Sequence, residues 1–159
     1  MDNDRVENLL LKLIEDVAQI KGKLDNLEEI KALNKDTMME FLGIEYLKVN
    51  AGFVHARMFI KKELTQPFGI MHGGAGVAFA ESVGGVGSSF LVGLEHNEIR
   101  GLNITSNYMK AAKINTYIYA EAKCLHQGRH THVWNIDVKD EQGEMILSCR
   151  LTNFIIHRD

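Results

Sequence analysis

The sequence predicts an α+β fold in which a curved antiparallel sheet packs against one central apolar helix, with an amphipathic helix ahead of both. Three observations predict it. The hydrophobic period is helical up to about residue 35 and switches to two from Phe53 onward. A glycine-rich apolar stretch then follows His72 and holds a single ionisable side chain, Glu81, before Glu95. After that stretch the chain alternates apolar and polar residues to its end, with turn signals between the segments.

In order, Val6, Leu10, Leu13, Val17, Ile20, Leu24 and Leu27 recur at alternating four and three, a coiled-coil-like spacing. Charges of both signs occupy the opposite face, and Gly22 and Asn26 weaken the middle, so one or two helices are expected. Residues 1–35 therefore read as a helical extension that packs on the domain or on a partner subunit, and 36–159 as the main domain. A short helix is expected near Thr37 to Leu42. Val54, Ala56, Met58 and Ile60 then alternate with polar and aromatic neighbours as a strand, in a hairpin with residues 43–49 across Asn50-Ala51-Gly52. Strands are also expected around Leu102 and Ile104, Ile118 to Cys124, Trp134 to Val138, and Met145 to Leu151. Gln127-Gly128-Arg129 and Asp140 to Gly143 separate neighbours, so the strands are expected to form an antiparallel meander.

The composition is that of an ordinary soluble domain of 159 residues, 45% hydrophobic and 25% charged, with net charge -3. No basic block stands out, which argues against nucleic acid as a partner. The start, Met1-Asp2-Asn3-Asp4, lacks the basic and apolar regions of a secretory signal, so a cytoplasmic location is expected. Cys124 and Cys149 form no disulfide framework and read as small buried residues. Cys124 as a nucleophile assisted by His126 on the same strand face is the sharper reading, but no third group accompanies them. His130 and His132, two apart on a strand, lack the further ligands of a zinc site and read as exposed; no metal is expected.

Residues 72–94 carry most of the functional information. A helix apolar on all sides is expected to be buried, and its six glycines suit close approach of another backbone. A membrane-spanning reading is disfavoured by the central carboxylate and the amphipathic strands on either side. Glu81 in such a setting must be paired, neutralised or facing a cleft, which makes it a candidate functional residue. His72-Gly73-Gly74 opens the same helix, where free N–H groups and the helix dipole can stabilise an oxyanion. Gly73 and Glu81 lie about 12 Å apart along one helix, at 1.5 Å per residue. One carboxylate therefore cannot easily serve a carbonyl held at its own helix start. A two-fold dimer with antiparallel central helices removes the conflict, with Glu81 of one subunit facing Gly73 of the other.

From about Met39 to Ile156 the chain resembles the hotdog-fold acyl-CoA thioesterases, in the branch of the phenylacetate-pathway and 4-hydroxybenzoyl-CoA thioesterases. Gln66 to Gly74, Glu81 nine positions after His72, Leu102 to Ala112, Leu125 to Arg129 and the Asp137–Gly143 turn carry the resemblance. It implies hydrolysis of an acyl-CoA without a cofactor, in a homodimer assembled as a tetramer. It further implies that Glu81 is the base or nucleophile, that the Gly73 amide polarises the carbonyl, and that His72 and Gln66 help place the thioester and water. Asn103 and Tyr108 would line the substrate groove. Gln127, Gly128, Arg129 and His130 would contact coenzyme A, with Arg129 the best phosphate partner. Phe68, Met71, Phe79 and Phe90 suggest an apolar acyl pocket.

One position departs from the family pattern. Many relatives carry Ser or Thr one turn beyond the helix carboxylate, and here that position is Gly85. Hotdog dehydratases place the acid farther from the His, after a proline-rich turn that Ile70-Met71-His72-Gly73 does not match. A non-catalytic acyl-CoA-binding hotdog module is the alternative from another class. Such a module needs neither Glu81 nor Gln66.

Overall fold

A computed structural model describes residues 3–158, with the side chains of residues 3, 4 and 19–26 outside the described set. The chain divides into one unit up to Leu33 and one from Asn34 onward. In the first, α1 (Asn3–Asn34) runs as a single helix through Gly22 and Asn26. Leu10, Leu13 and Val17 of its apolar spacing are exposed, while Ile20 and Leu24 lie outside the described side chains.

In the second unit, α2 (Met38–Leu42) ends on Gly43, whose φ of 72° is the left-handed cap that glycine adopts without strain. The expected hairpin follows as β1 (Ile44–Asn50) and β2 (Phe53–Phe59). A 3-10 turn (Lys62–Leu64) leads to α3 (Gly73–Val92), then β3 (Asn97–Tyr108), β4 (Tyr117–Gln127), β5 (Thr131–Asp140) and β6 (Met145–His157). The six strands form one antiparallel sheet in the order β1-β2-β4-β5-β6-β3. The meander therefore covers only β4, β5 and β6. The polypeptide leaves β2, crosses the sheet as α3 and comes down at the far edge, so β3 pairs with β6 and not with β4. Hydrophobic period reports strand identity, whereas this crossover is set by the length and direction of the helix.

Burial on α3 follows one stripe, Gly76, Phe79, Ala80, Val83, Gly84, Gly87 and Ser88. The expectation of a helix buried on all sides is thus corrected: the opposite face, with Ala78, Ser82, Gly85, Val86 and Ser89, is partly exposed and Glu81 is exposed. By length and composition alone α3 is long and apolar enough to cross a membrane. Its buried stripe is instead committed to the sheet. Three glycines on that stripe set the helix–sheet distance. A Cβ at Gly76 would lie 2.6 Å from Leu147 Cδ2, one at Gly84 2.5 Å from Leu151 Cδ2, and one at Gly87 2.5 Å from the Trp134 ring. Side chains from β5 and β6 fill the space that the helix leaves empty. A buried polar cluster locks the same contact: Trp134 Nε1 (2.8 Å) and Asn153 Nδ2 (2.9 Å) both donate to Ser88 Oγ, and Asn153 Nδ2 also reaches the Gly84 carbonyl. With both donors buried, losing that oxygen would leave the Trp134 N–H unsatisfied and Asn153 Nδ2 with only the Gly84 carbonyl.

Gly87→Val should therefore cost about 2 kcal/mol by overpacking against Trp134. Gly85 has open space around its Cβ direction, so Gly85→Ala should stabilise by roughly 0.5 kcal/mol through helix propensity. Thermal unfolding of the two variants measures both, and equal effects would contradict this assignment of helix faces.

Candidate active site

The loop before α3 is pinned by backbone bonds. The Gln66 N–H donates to the Ile70 carbonyl (2.9 Å) and the Gly69 N–H to the Gln66 carbonyl (3.0 Å), closing a turn with Gly69 at φ 75°. Met71 N–H bonds to the Ala112 carbonyl and His72 N–H to the Leu64 carbonyl. His72 is thereby fixed as the N-cap of α3, and its Nδ1 accepts from the Gly74 N–H at 2.9 Å. With Nδ1 accepting, the proton of the neutral ring sits on Nε2, which is left as an outward donor. The Gly73 N–H, one residue earlier than the capped amide, makes no hydrogen bond among the described residues. It is an unsatisfied donor at the positive end of a helix dipole.

That amide opens into a cavity of about 560 Å³ whose walls include Gln66, Met71, His72, Gly73 and Tyr108. The structure thus brings together Gln66, His72, Gly73 and Tyr108. The Tyr108 ring lies against Gly73 so closely that a Cβ there would be 2.9 Å from the ring. Glycine is the residue that lets the ring and the amide share this wall. The segment Met109 to Ala112 and Ile146 also line the cavity. Sequence reading missed these as site residues, because nothing in their type signals a ligand. Lys110 belongs to this wall, but its ammonium is paired with Asp140 (2.7 Å) and with Glu144. Those two hydrogen bonds hold the Lys110 pKa above its ordinary value, and the bond from Lys110 holds Asp140 below the usual carboxylate range.

Glu81 lies elsewhere in the chain. It projects from the open face of α3, eight residues from Gly73, and its Oε1 rests against the backbone of Gly101 on β3. Ser82 and Ser89 do not supply the missing hydroxyl near it, because they donate to the Ala78 (2.7 Å) and Gly85 (3.1 Å) carbonyls of their own helix. Ser88 is committed to the core cluster.

Asn103 sits apart from the cavity walls. A bulge at Leu102 advances β3 by two residues against one on β6, so Asn103 pairs with Thr152 and Ile104 with the buried Leu151. That register turns Asn103 to the sheet face away from α3. The Gln127–His130 turn is at the other end of the sheet: Thr131 pairs with Phe154, and Val138 with Leu147, which pairs with Tyr108. Seven residues of strand separate those rows, about 23 Å at 3.3 Å per residue. Arg129 there is exposed and makes no ion pair among the described residues.

Several expectations are corrected. Phe79 is fully buried in the core and Phe68 is 86% exposed, so neither lines the cavity; Met71 does. His132 is buried, not exposed, and burial pushes its pKa below the ordinary histidine value. Cys124 and His126 do not share a face. A bulge between them pairs Cys124 with the buried Trp134 and His126 with Val133, one residue out of phase. Burial pushes both thiols up, which makes them poor nucleophiles. Among the described residues no group of three His, Cys, Asp or Glu side chains is placed to hold a metal ion.

A curved sheet around one central helix, with an open cavity at the helix start, is the architecture of the hotdog thioesterases. The chain belongs to the thioesterase superfamily, whose family model matches residues 68–147. It is similar to the 1,4-dihydroxy-2-naphthoyl-CoA hydrolase of Escherichia coli, at 34% identity over 82% of this chain and 94% of the relative. It is also similar to the proofreading thioesterase EntH of Klebsiella pneumoniae, at 32% over 82% and 93%. Among solved structures, a thioesterase from Haemophilus influenzae matches with a TM-score of 0.77 at 30% identity, over 82% of this chain and 90% of that one. The chain is a thioester hydrolase.

The His72 cap is separable from His72 chemistry. His72→Ala should lower stability by about 1 kcal/mol, whereas His72→Asn, a preferred cap, should restore most of it. Both should lack the Nε2 donor and hydrolyse slowly. Melting temperatures that fail to distinguish the two variants would contradict the capping role.

Proposed function

We propose that the enzyme hydrolyses acyl-CoA thioesters at a site built across a two-fold dimer. Glu81 of one subunit acts on a carbonyl polarised by the Gly73 amide of the other. The observation that carries this reading is the separation of the two groups. The unsatisfied Gly73 amide opens into the cavity, while the only carboxylate on α3 projects from the helix's open face eight residues away.

Two features support the dimer. Strand β3 is a 12-residue sheet edge, and an edge of that length needs a partner or a cover. Beside it, the open face of α3 carries small residues that let a second helix approach. Antiparallel pairing of β3 with its copy reverses the ends of the partner sheet. The Gln127–His130 turn of one subunit then lies at the same end as the partner's cavity, with the unpaired Arg129 available to coenzyme A phosphate.

In this scheme the thioester carbonyl oxygen accepts the Gly73 N–H, and Gln66 orients the water. The Glu81 carboxylate removes a proton as the water oxygen attacks the carbonyl carbon. The negative charge gathers on the oxygen at Gly73, where a preorganised donor is worth about 3 kcal/mol. Collapse breaks the carbon–sulfur bond, and the departing thiolate takes the proton from Glu81, giving the free acid and coenzyme A. If Glu81 attacks directly, the same positions give an acyl-carboxylate anhydride that water then cleaves. The name of the Escherichia coli relative supports a coenzyme A ester with an aromatic acyl group.

Free-thiol release from benzoyl-CoA and hexanoyl-CoA tests the reading. Glu81→Ala should lower kcat at least ~100-fold while coenzyme A still binds. Equal rates for the native chain and Glu81→Ala would reject Glu81 as the reacting group. Equally slow turnover of both with intact binding would favour a binding module.

A further inference from the structure

Gly101 has no role in the reading above, and glycine inside a strand sacrifices side-chain packing, so its presence needs a reason. It is not the backbone conformation, because Gly101 does not lie in the left-handed region that favours glycine. It pairs with Asn153, which is buried and bonded to α3. Position 101 therefore faces the helix. A Cβ built there would lie 2.5 Å from Glu81 Oε1 and 3.6 Å from its carboxyl carbon, and meets nothing else within 4 Å. The space that a side chain would fill is held by the carboxylate. Immediately after it comes the Leu102 bulge, a device that re-aims strand residues near active sites.

We propose that Gly101 is the positioning residue for the Glu81 carboxylate. The bare strand backbone at this point gives the carboxylate a seat on the edge strand, from which it is aimed outward. The inference rests on the reading of Glu81 as the reacting group. It adds that this chain tolerates no side chain at 101 for a catalytic reason and not for a folding reason. The physical basis for separating the two is the identity of the obstructing atom. Glu81 Oε1 is the free end of a flexible, exposed side chain. A methyl group at 101 can displace it with little strain in the sheet, but not without moving the reacting oxygen. A displacement of about 1 Å is enough to cost up to ~100-fold in rate.

The test is a double-mutant cycle in the full chain, read by thiol release from whichever of benzoyl-CoA and hexanoyl-CoA is turned over faster. Gly101→Ala should lower kcat by ~10- to 100-fold with KM changed less than about twofold. Its melting temperature should stay close to that of the native chain. Placed on Glu81→Ala, the same substitution should cost no further rate, because the group it displaces is gone. Native kcat in Gly101→Ala overturns the proposal, and so does the same fold-loss on both backgrounds. If Gly101→Ala unfolds and adding Glu81→Ala rescues it, the glycine serves folding by sparing a clash with Glu81, and the proposal is overturned. If both remain unfolded, the strand itself requires glycine and the proposal fails. Undiminished kcat in Glu81→Ala alone removes the reacting group and this proposal with it. Loss in Glu81→Ala beside native kcat in Gly101→Ala removes only the proposal.

Discussion

The contact on which the rest of the structure depends is the close seating of α3 on the sheet. Gly76, Gly84 and Gly87 leave gaps that Leu147, Leu151 and Trp134 fill, and the Ser88–Trp134–Asn153 cluster fixes the helix along its length. Side chains larger than hydrogen at those points would lift the helix off the strands. The apolar matching gives the burial, and the hydrogen-bonded cluster gives the register. A helix held in one register has a fixed first turn and a fixed outward face. The proposed thioesterase site draws on those two features.

At the first turn, the His72 ring satisfies the Gly74 amide and leaves the Gly73 amide free. The cap therefore selects which donor is offered to a ligand. On the outward face, Glu81 rests against bare strand at Gly101. The same packing holds the two groups apart within one chain, since an eight-residue interval on a rigid helix cannot be closed by side-chain motion. A site that needs both must draw them from two chains. In the proposed dimer the long β3 edge and the small-residue face of α3 receive the second chain, which would join stability of the sheet edge to completion of the site.

Much of this was legible in the sequence because it is written in periodicity and composition. The switch of period located the strands. The lone charge of an apolar segment singled out Glu81, and helix-start chemistry singled out Gly73. What stayed hidden depends on pairing. The sheet order was missed because α3 carries the chain to the far edge before β3. Cys124 and His126 were expected on one face, and a one-residue bulge put them on two. The bulge at Leu102 likewise turned Asn103 away from α3. Phe79 was an acyl-pocket candidate by type, yet it fell on the buried stripe of α3. His132 looked exposed by type, yet its strand position faces the core. Gly101 had a signal, a glycine inside a strand pattern, but its meaning required knowing what lies above it.

Subunit mixing tests the shared site most directly. Glu81→Ala removes the carboxylate. Gly73→Pro removes the amide hydrogen at the first helical position, where the backbone suits proline and where His72, at φ -66° and ψ 130°, already has the conformation required before proline. The Tyr108 ring, which a Cβ at 73 would meet at 2.9 Å, has to turn aside, so the melting temperature of this variant is checked against that of the native chain. Each variant alone should be inactive. Unfolded together and refolded in equal amounts, they should recover about a quarter of native activity, since half of random dimers are mixed and each holds one complete site. Absence of recovery, with mixed dimers verified by mass, would show that Glu81 and Gly73 act from the same chain and would contradict the shared site.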